Sequence, residues 1–72
     1  MLVKFTNNVE QHKGMPLYIM REHIISVFES ATDGGSLVTC IYGIRGDTWQ
    51  VEEGLLEVVK IINGGLVDFM LI

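Results

Sequence analysis

Apolar and polar positions along the chain change period once, and that change divides it into a β-rich body and a helix. Short β-prone runs come first, at residues 2–6 and 17–20, with Asn7-Asn8 and a polar stretch over residues 9–15 between them. Asn tolerates left-handed backbone geometry and favours a turn. Pro16 opens the second run, which is acceptable at the first residue of a strand or on a sheet edge because Pro donates no amide hydrogen. Arg21-Glu22-His23 reads as a polar turn, and residues 24–29, Ile-Ile-Ser-Val-Phe-Glu, form the clearest strand, rich in β-branched and aromatic side chains. Thr32-Asp33-Gly34-Gly35-Ser36 predicts a hairpin, since Asp-Gly and Gly-Gly supply the positive φ of tight turns. The partner strand, residues 37–42, is almost continuously apolar, which predicts burial on both faces or a subunit contact on one. After a turn at Arg45-Gly46-Asp47, residues 48–51 alternate, with Trp49 and Val51 on one face.

The period then lengthens. Over residues 52–63 the apolar positions Leu55, Val58, Val59 and Ile62 make the stripe of an amphipathic helix, which Leu56 and Ile61 widen. Glu52, Glu53 and Glu57 suit the positive end of its dipole and Lys60 the negative end. Asn63-Gly64-Gly65 stops it. Residues 66–72, Leu-Val-Asp-Phe-Met-Leu-Ile, form an apolar run that reads as a last strand on the domain's own sheet or as an addition to a neighbour's. The intrachain strand is preferred, because an unpaired apolar strand is an aggregation hazard. The expected fold is a single α+β domain over residues 1–72: a small curved antiparallel β-sheet of four or five strands packed with one C-terminal amphipathic helix.

Composition turns this fold towards interaction. Hydrophobic residues make up 49% of the chain and charged residues 19%, while a domain this small buries only about 60% of its unfolded surface. Apolar surface is left over, and a homo-oligomer or a protein partner is expected to cover it, in preference to a monomer with scattered apolar residues. The candidate interaction residues are Tyr42, Trp49 and the tail residues Phe69, Met70, Leu71 and Ile72. Net charge is −4, and the basic residues Lys4, Lys13, Arg21, Arg45 and Lys60 stand singly. Displacing counterions from phosphates takes a clustered basic surface, so nucleic acid is not an expected partner.

No catalytic or cofactor site is expected. Cys40 lies mid-strand among apolar neighbours, where a thiol behaves as a small hydrophobe. His12 and His23 stand in separate polar loops without the paired spacing of metal ligands. The glycine turns match no phosphate-cradling pattern. A single cysteine excludes an internal disulfide and favours a reducing, cytoplasmic setting. The first seven residues show no basic start before a long apolar run, so no signal peptide is expected. The tail run of seven residues, interrupted by Asp68, is far short of a membrane span.

Leu17-Tyr18-Ile19, His23-Ile24-Ile25-Ser26-Val27, a glycine turn, Arg45-Gly46-Asp47-Thr48-Trp49-Gln50-Val51-Glu52-Glu53 and Leu56-Glu57-Val58 together resemble the FlbD-type small flagellar and swarming-motility proteins and related short bacterial or phage proteins. The resemblance spans residues 17 to about 62. Trp49 stands where that family tends to have Tyr and Gly54 where it tends to have Ser, the loop over residues 9–15 is longer, and the tail is extra. The resemblance implies a curved antiparallel sheet closed by one helix and a non-enzymatic role. The expected function is therefore a small interaction module, self-associating or accessory to a larger assembly. The alternative is a small regulator contacting nucleic acid or transcription machinery. An enzyme comes last, for want of any triad, dyad or metal set.

Overall fold

The computed structural model describes residues 1–64. The apolar run 66–72, with Phe69, Met70, Leu71 and Ile72, lies outside them, so the expected last strand does too. The described chain runs β1 (Leu2–Thr6), β2 (Pro16–Met20), β3 (Ile24–Ala31), β4 (Leu37–Gly43), β5 (Thr48–Val51) and α1 (Leu55–Ile62), with single 3₁₀ turns at Glu10–His12 and Arg21–His23. The class is α+β, as expected.

The strands do not form one sheet. β1 and β2 make a two-stranded antiparallel sheet, and β3, β4 and β5 a three-stranded one in that order. The division falls at the polar triplet Arg21-Glu22-His23, which turns the chain between β2 and β3 and lets the His23 carbonyl accept from the Ile44 amide at 2.8 Å. The sheets meet at one corner, where Asn7 bridges Val51. There the Asn8 amide donates to the Gln50 carbonyl (2.9 Å) and the Glu52 amide to the Thr6 carbonyl (2.8 Å).

Alternation along each strand selects the core. Val3 and Phe5 of β1 lie opposite Ile19 and Leu17 of β2, and on the second sheet Val27, Ile41 and Trp49 line up across β3, β4 and β5. Val58 of α1 closes over Val3, Phe5, Ile19, Ile41 and Val51. Phe5, Ile41, Val51 and Val58 are the largest fully buried side chains, each worth about 1.5–3 kcal/mol of transfer free energy. At the centre of β4 the consecutive residues Thr39, Cys40 and Ile41 are all buried, as its apolar run predicts. Leu37 at its start and Tyr42 near its end are exposed.

The turns obey their residues. Gly35 takes φ +85° in the β3–β4 hairpin, where the Thr32 amide donates to the Ser36 carbonyl and the Ser36 amide to Thr32 Oγ1. Pro16 occupies the first position of β2, at the edge of its sheet.

α1 is shorter than its sequence periodicity predicts. Gly54 keeps an extended conformation (φ −69°, ψ 164°) as its N-cap, and the helix begins at Leu55. Glu52 and Glu53 precede it. Leu56 does not widen the buried stripe; it is 74% exposed, whereas Ile61 packs on the rim of the core.

Candidate interaction surface

Two sheets in so short a chain have two outer faces, and both carry large apolar side chains. On β1–β2 the inward alternation of Val3, Phe5, Leu17 and Ile19 sends Leu2, Lys4, Tyr18 and Met20 outward. Leu2 pairs with Met20 and Lys4 with Tyr18. Leu2 is 59% exposed, Tyr18 58% and Met20 41%. Directly opposite and diagonal residues on one face of an antiparallel pair stand within reach of each other, so these three form one patch beside the Lys4 stem.

On the face of the three-stranded sheet opposite Val27, Ile41 and Trp49, Ser26, Tyr42 and Thr48 form one row and Phe28, Cys40 and Gln50 the next, with Cys40 buried within it. The Phe28 and Tyr42 rings meet edge to face, with centroids 5.1 Å apart and planes at 79°, a geometry that sets the positive edge of one ring against the negative face of the other. Tyr42 is thus held in place while still 41% exposed. Of the two sequence candidates within the described residues, it is the one at the surface.

Trp49 is placed differently. It lies on the inner side, opposite Ile41, and packs on the core. Its ring covers Gly43 so closely that a Cβ there would meet Trp49 Cη2 and Cζ3 at 2.9 Å. Trp49 is half-buried against the core. Phe69, Met70, Leu71 and Ile72 lie outside the described residues.

The patch of Leu2, Tyr18 and Met20 escaped the sequence reading, although its signal was present. In both strands the outward positions of a period-2 pattern hold large apolar residues where a solvated face normally carries polar ones. Glu53 was also read differently. Rather than serving only the positive end of the helix dipole, its carboxylate accepts from the Thr6 amide at 2.9 Å and from Thr6 Oγ1–H at 2.8 Å, half-buried at the corner where the sheets meet. No local pattern announces a partner 47 residues away.

Groups with chemical potential stay apart. His12 and His23 sit exposed on different 3₁₀ turns, and Cys40 is buried mid-strand. Among the described residues no three of His, Cys, Asp or Glu come together to hold a metal ion. Glu22 has a perturbed acidity: it accepts from the Met1 amino group at 2.8 Å, and that hydrogen bond, with its own backbone amide, holds its carboxyl below the usual carboxylate range. The pair is fully at the surface, where such contacts add little to stability. No helix among the described residues is long and apolar enough to cross a membrane. Comparison with family models, curated proteins and solved structures finds nothing that matches this chain.

Proposed function

We propose that this chain is a non-enzymatic protein-interaction module that associates with copies of itself, as a cytoplasmic accessory of a larger bacterial or phage assembly of the FlbD-like kind. The observation that carries the reading is the outward row of Leu2, Tyr18 and Met20 on a two-stranded sheet. A sheet face open to water normally carries polar side chains, and contiguous apolar patches mark contact sites. Tyr42 on the second sheet supports it, because aromatic residues held rigid before binding lose little conformational freedom on association. On this reading the two sheets, linked through Asn7 and Val51, act as one curved sheet of five strands whose convex side is the contact surface.

Sedimentation equilibrium of the full chain over a wide concentration range tests it. The expected result is a mass above that of the monomer which falls back to the monomer in the triple variant Leu2→Ser/Tyr18→Ser/Met20→Ser, with the melting temperature held within a few degrees because exposed side chains are replaced. A second variant, Tyr42→Ser, weakens association by about tenfold, the size expected when one aromatic anchor is lost. A monomer at all concentrations, with no partner retained from a bacterial extract, overturns the proposal. So does salt-sensitive retention of DNA or RNA at low ionic strength, which would transfer the reading to a nucleic-acid regulator.

A further inference from the structure

Methionine is among the residues most often fully buried, yet all three methionines among the described residues lie at the surface. Met1 is 59% exposed, Met15 56% and Met20 41%. Met20 differs from the other two in its place. It stands on the outward row of β1–β2, directly opposite Leu2 and two positions along its strand from Tyr18. Met15 precedes β2 and lies outside that row, its carbonyl accepting from the Asn7 amide at 2.8 Å. A thioether in an apolar patch combines two properties that Leu lacks. Its flexible, polarisable chain adapts to a facing surface. Its sulfur can take up one oxygen atom, which turns the side chain from apolar to polar.

Susceptibility to oxidants follows exposure. The thiol of Cys40 is buried mid-strand, whereas the Met20 thioether is open to water in the free chain. With hydrogen peroxide, the Met20 sulfur attacks the O–O bond. One S–O bond forms, the thioether is oxidised by two electrons to the sulfoxide, and the peroxide is reduced to water. The return step is supplied by a methionine sulfoxide reductase, which removes the oxygen as water while two thiols become a disulfide.

We propose that Met20 is a reversible oxidation site at which peroxides switch off self-association through the patch of Leu2, Tyr18 and Met20. The inference rests on the reading of that patch as a contact between copies. Association covers the side chain at position 20 and takes it out of water. For a thioether that transfer is favourable. For a sulfoxide it strips water from a strongly polar S=O group, which opposes binding. Oxidation leaves the fold intact, because Met20 lies on the face of β1–β2 away from Val3, Phe5 and Ile19. The chemistry at one surface atom therefore acts on association and not on the core.

The test treats the full chain with dilute hydrogen peroxide and stops the reaction with catalase. Tandem mass spectrometry of its peptides measures sulfoxide at Met15 and Met20, and sedimentation equilibrium measures association. With Met20 oxidised, the dissociation constant between copies should rise about tenfold or more, the size of an uncompensated polar burial, while the circular dichroism spectrum stays unchanged. Methionine sulfoxide reductases A and B with dithiothreitol should restore the original constant. Met20→Leu keeps an apolar contact without a thioether. It should associate as the untreated chain does and lose nothing on peroxide treatment, which assigns the effect to Met20 and not to another sulfur. Association that survives oxidation of Met20, or that is lost equally in Met20→Leu, overturns the inference and leaves the contact reading standing. An untreated chain that is monomeric at every concentration overturns both.

Discussion

Glu53 shows how one side chain can tie together elements that are distant along the chain. Its two carboxylate oxygens close the end of β1 by accepting from both hydrogen-bond donors of Thr6. Replacing it with Ala leaves a half-buried amide and hydroxyl without a partner, a loss on the scale of about 1–3 kcal/mol. Urea unfolding of Glu53→Ala should show that drop. Thr6→Val, which removes only the hydroxyl, should cost less, and the double variant should fall short of the sum, because both changes break one network. Gly43 makes a steric demand of the same kind. It keeps an ordinary backbone conformation, yet a Cβ would strike the Trp49 ring at 2.9 Å. Gly43→Ala should therefore lower stability by about 1–3 kcal/mol through overpacking. Gly43→Ala combined with Trp49→Leu should recover part of that loss if the ring is the obstacle, as a thermal melt would reveal.

Among elements, α1 is the one whose buried face departs most from its sequence pattern. Periodicity puts Val58 in the stripe and widens it with Leu56, but only a narrow strip of the helix is covered. Val58 is fully buried and Leu56 is 74% exposed. Val58→Ala removes two methyl groups from the core and should cost about 2 kcal/mol once the residual cavity is included. Leu56→Ala should change stability by less than about 0.5 kcal/mol. Chemical denaturation of the two variants side by side checks the assignment, and equal losses would contradict it. The strands were easier to place than the helix ends. β3, β4 and β5 combine β-branched runs with glycine turns at the hairpin and at Gly46, so local signals agree with the fold. α1 starts only after the extended Gly54, and Glu53 just before it engages Thr6, a long-range contact invisible to a local pattern.

For the whole molecule, the proposed self-association sets apolar outer faces against a net charge of −4. At neutral pH the like charges of two copies repel, while apolar contact draws them together. As pH falls towards the pI near 4.9, the net negative charge shrinks and the repulsion fades. The weight-average mass measured by light scattering should therefore rise between pH 7.5 and 5.5 at low salt. Added salt at pH 7.5 should raise it as well, by screening the same repulsion. A mass that falls under both changes would mean that opposite charges, not apolar side chains, hold the copies together.

From the sequence alone follow the class, the five short β runs, the two glycine turns, the helix near the C-terminal end and the placement of Cys40 in the interior, because each rests on neighbours a few positions apart. The division of the strands into two sheets, the inward turn of Trp49, the bond from Thr6 to Glu53 and the outward row of Leu2, Tyr18 and Met20 were decided by tertiary structure. A period-2 pattern shows that a strand has two faces, but which face is covered depends on what the rest of the chain brings to it.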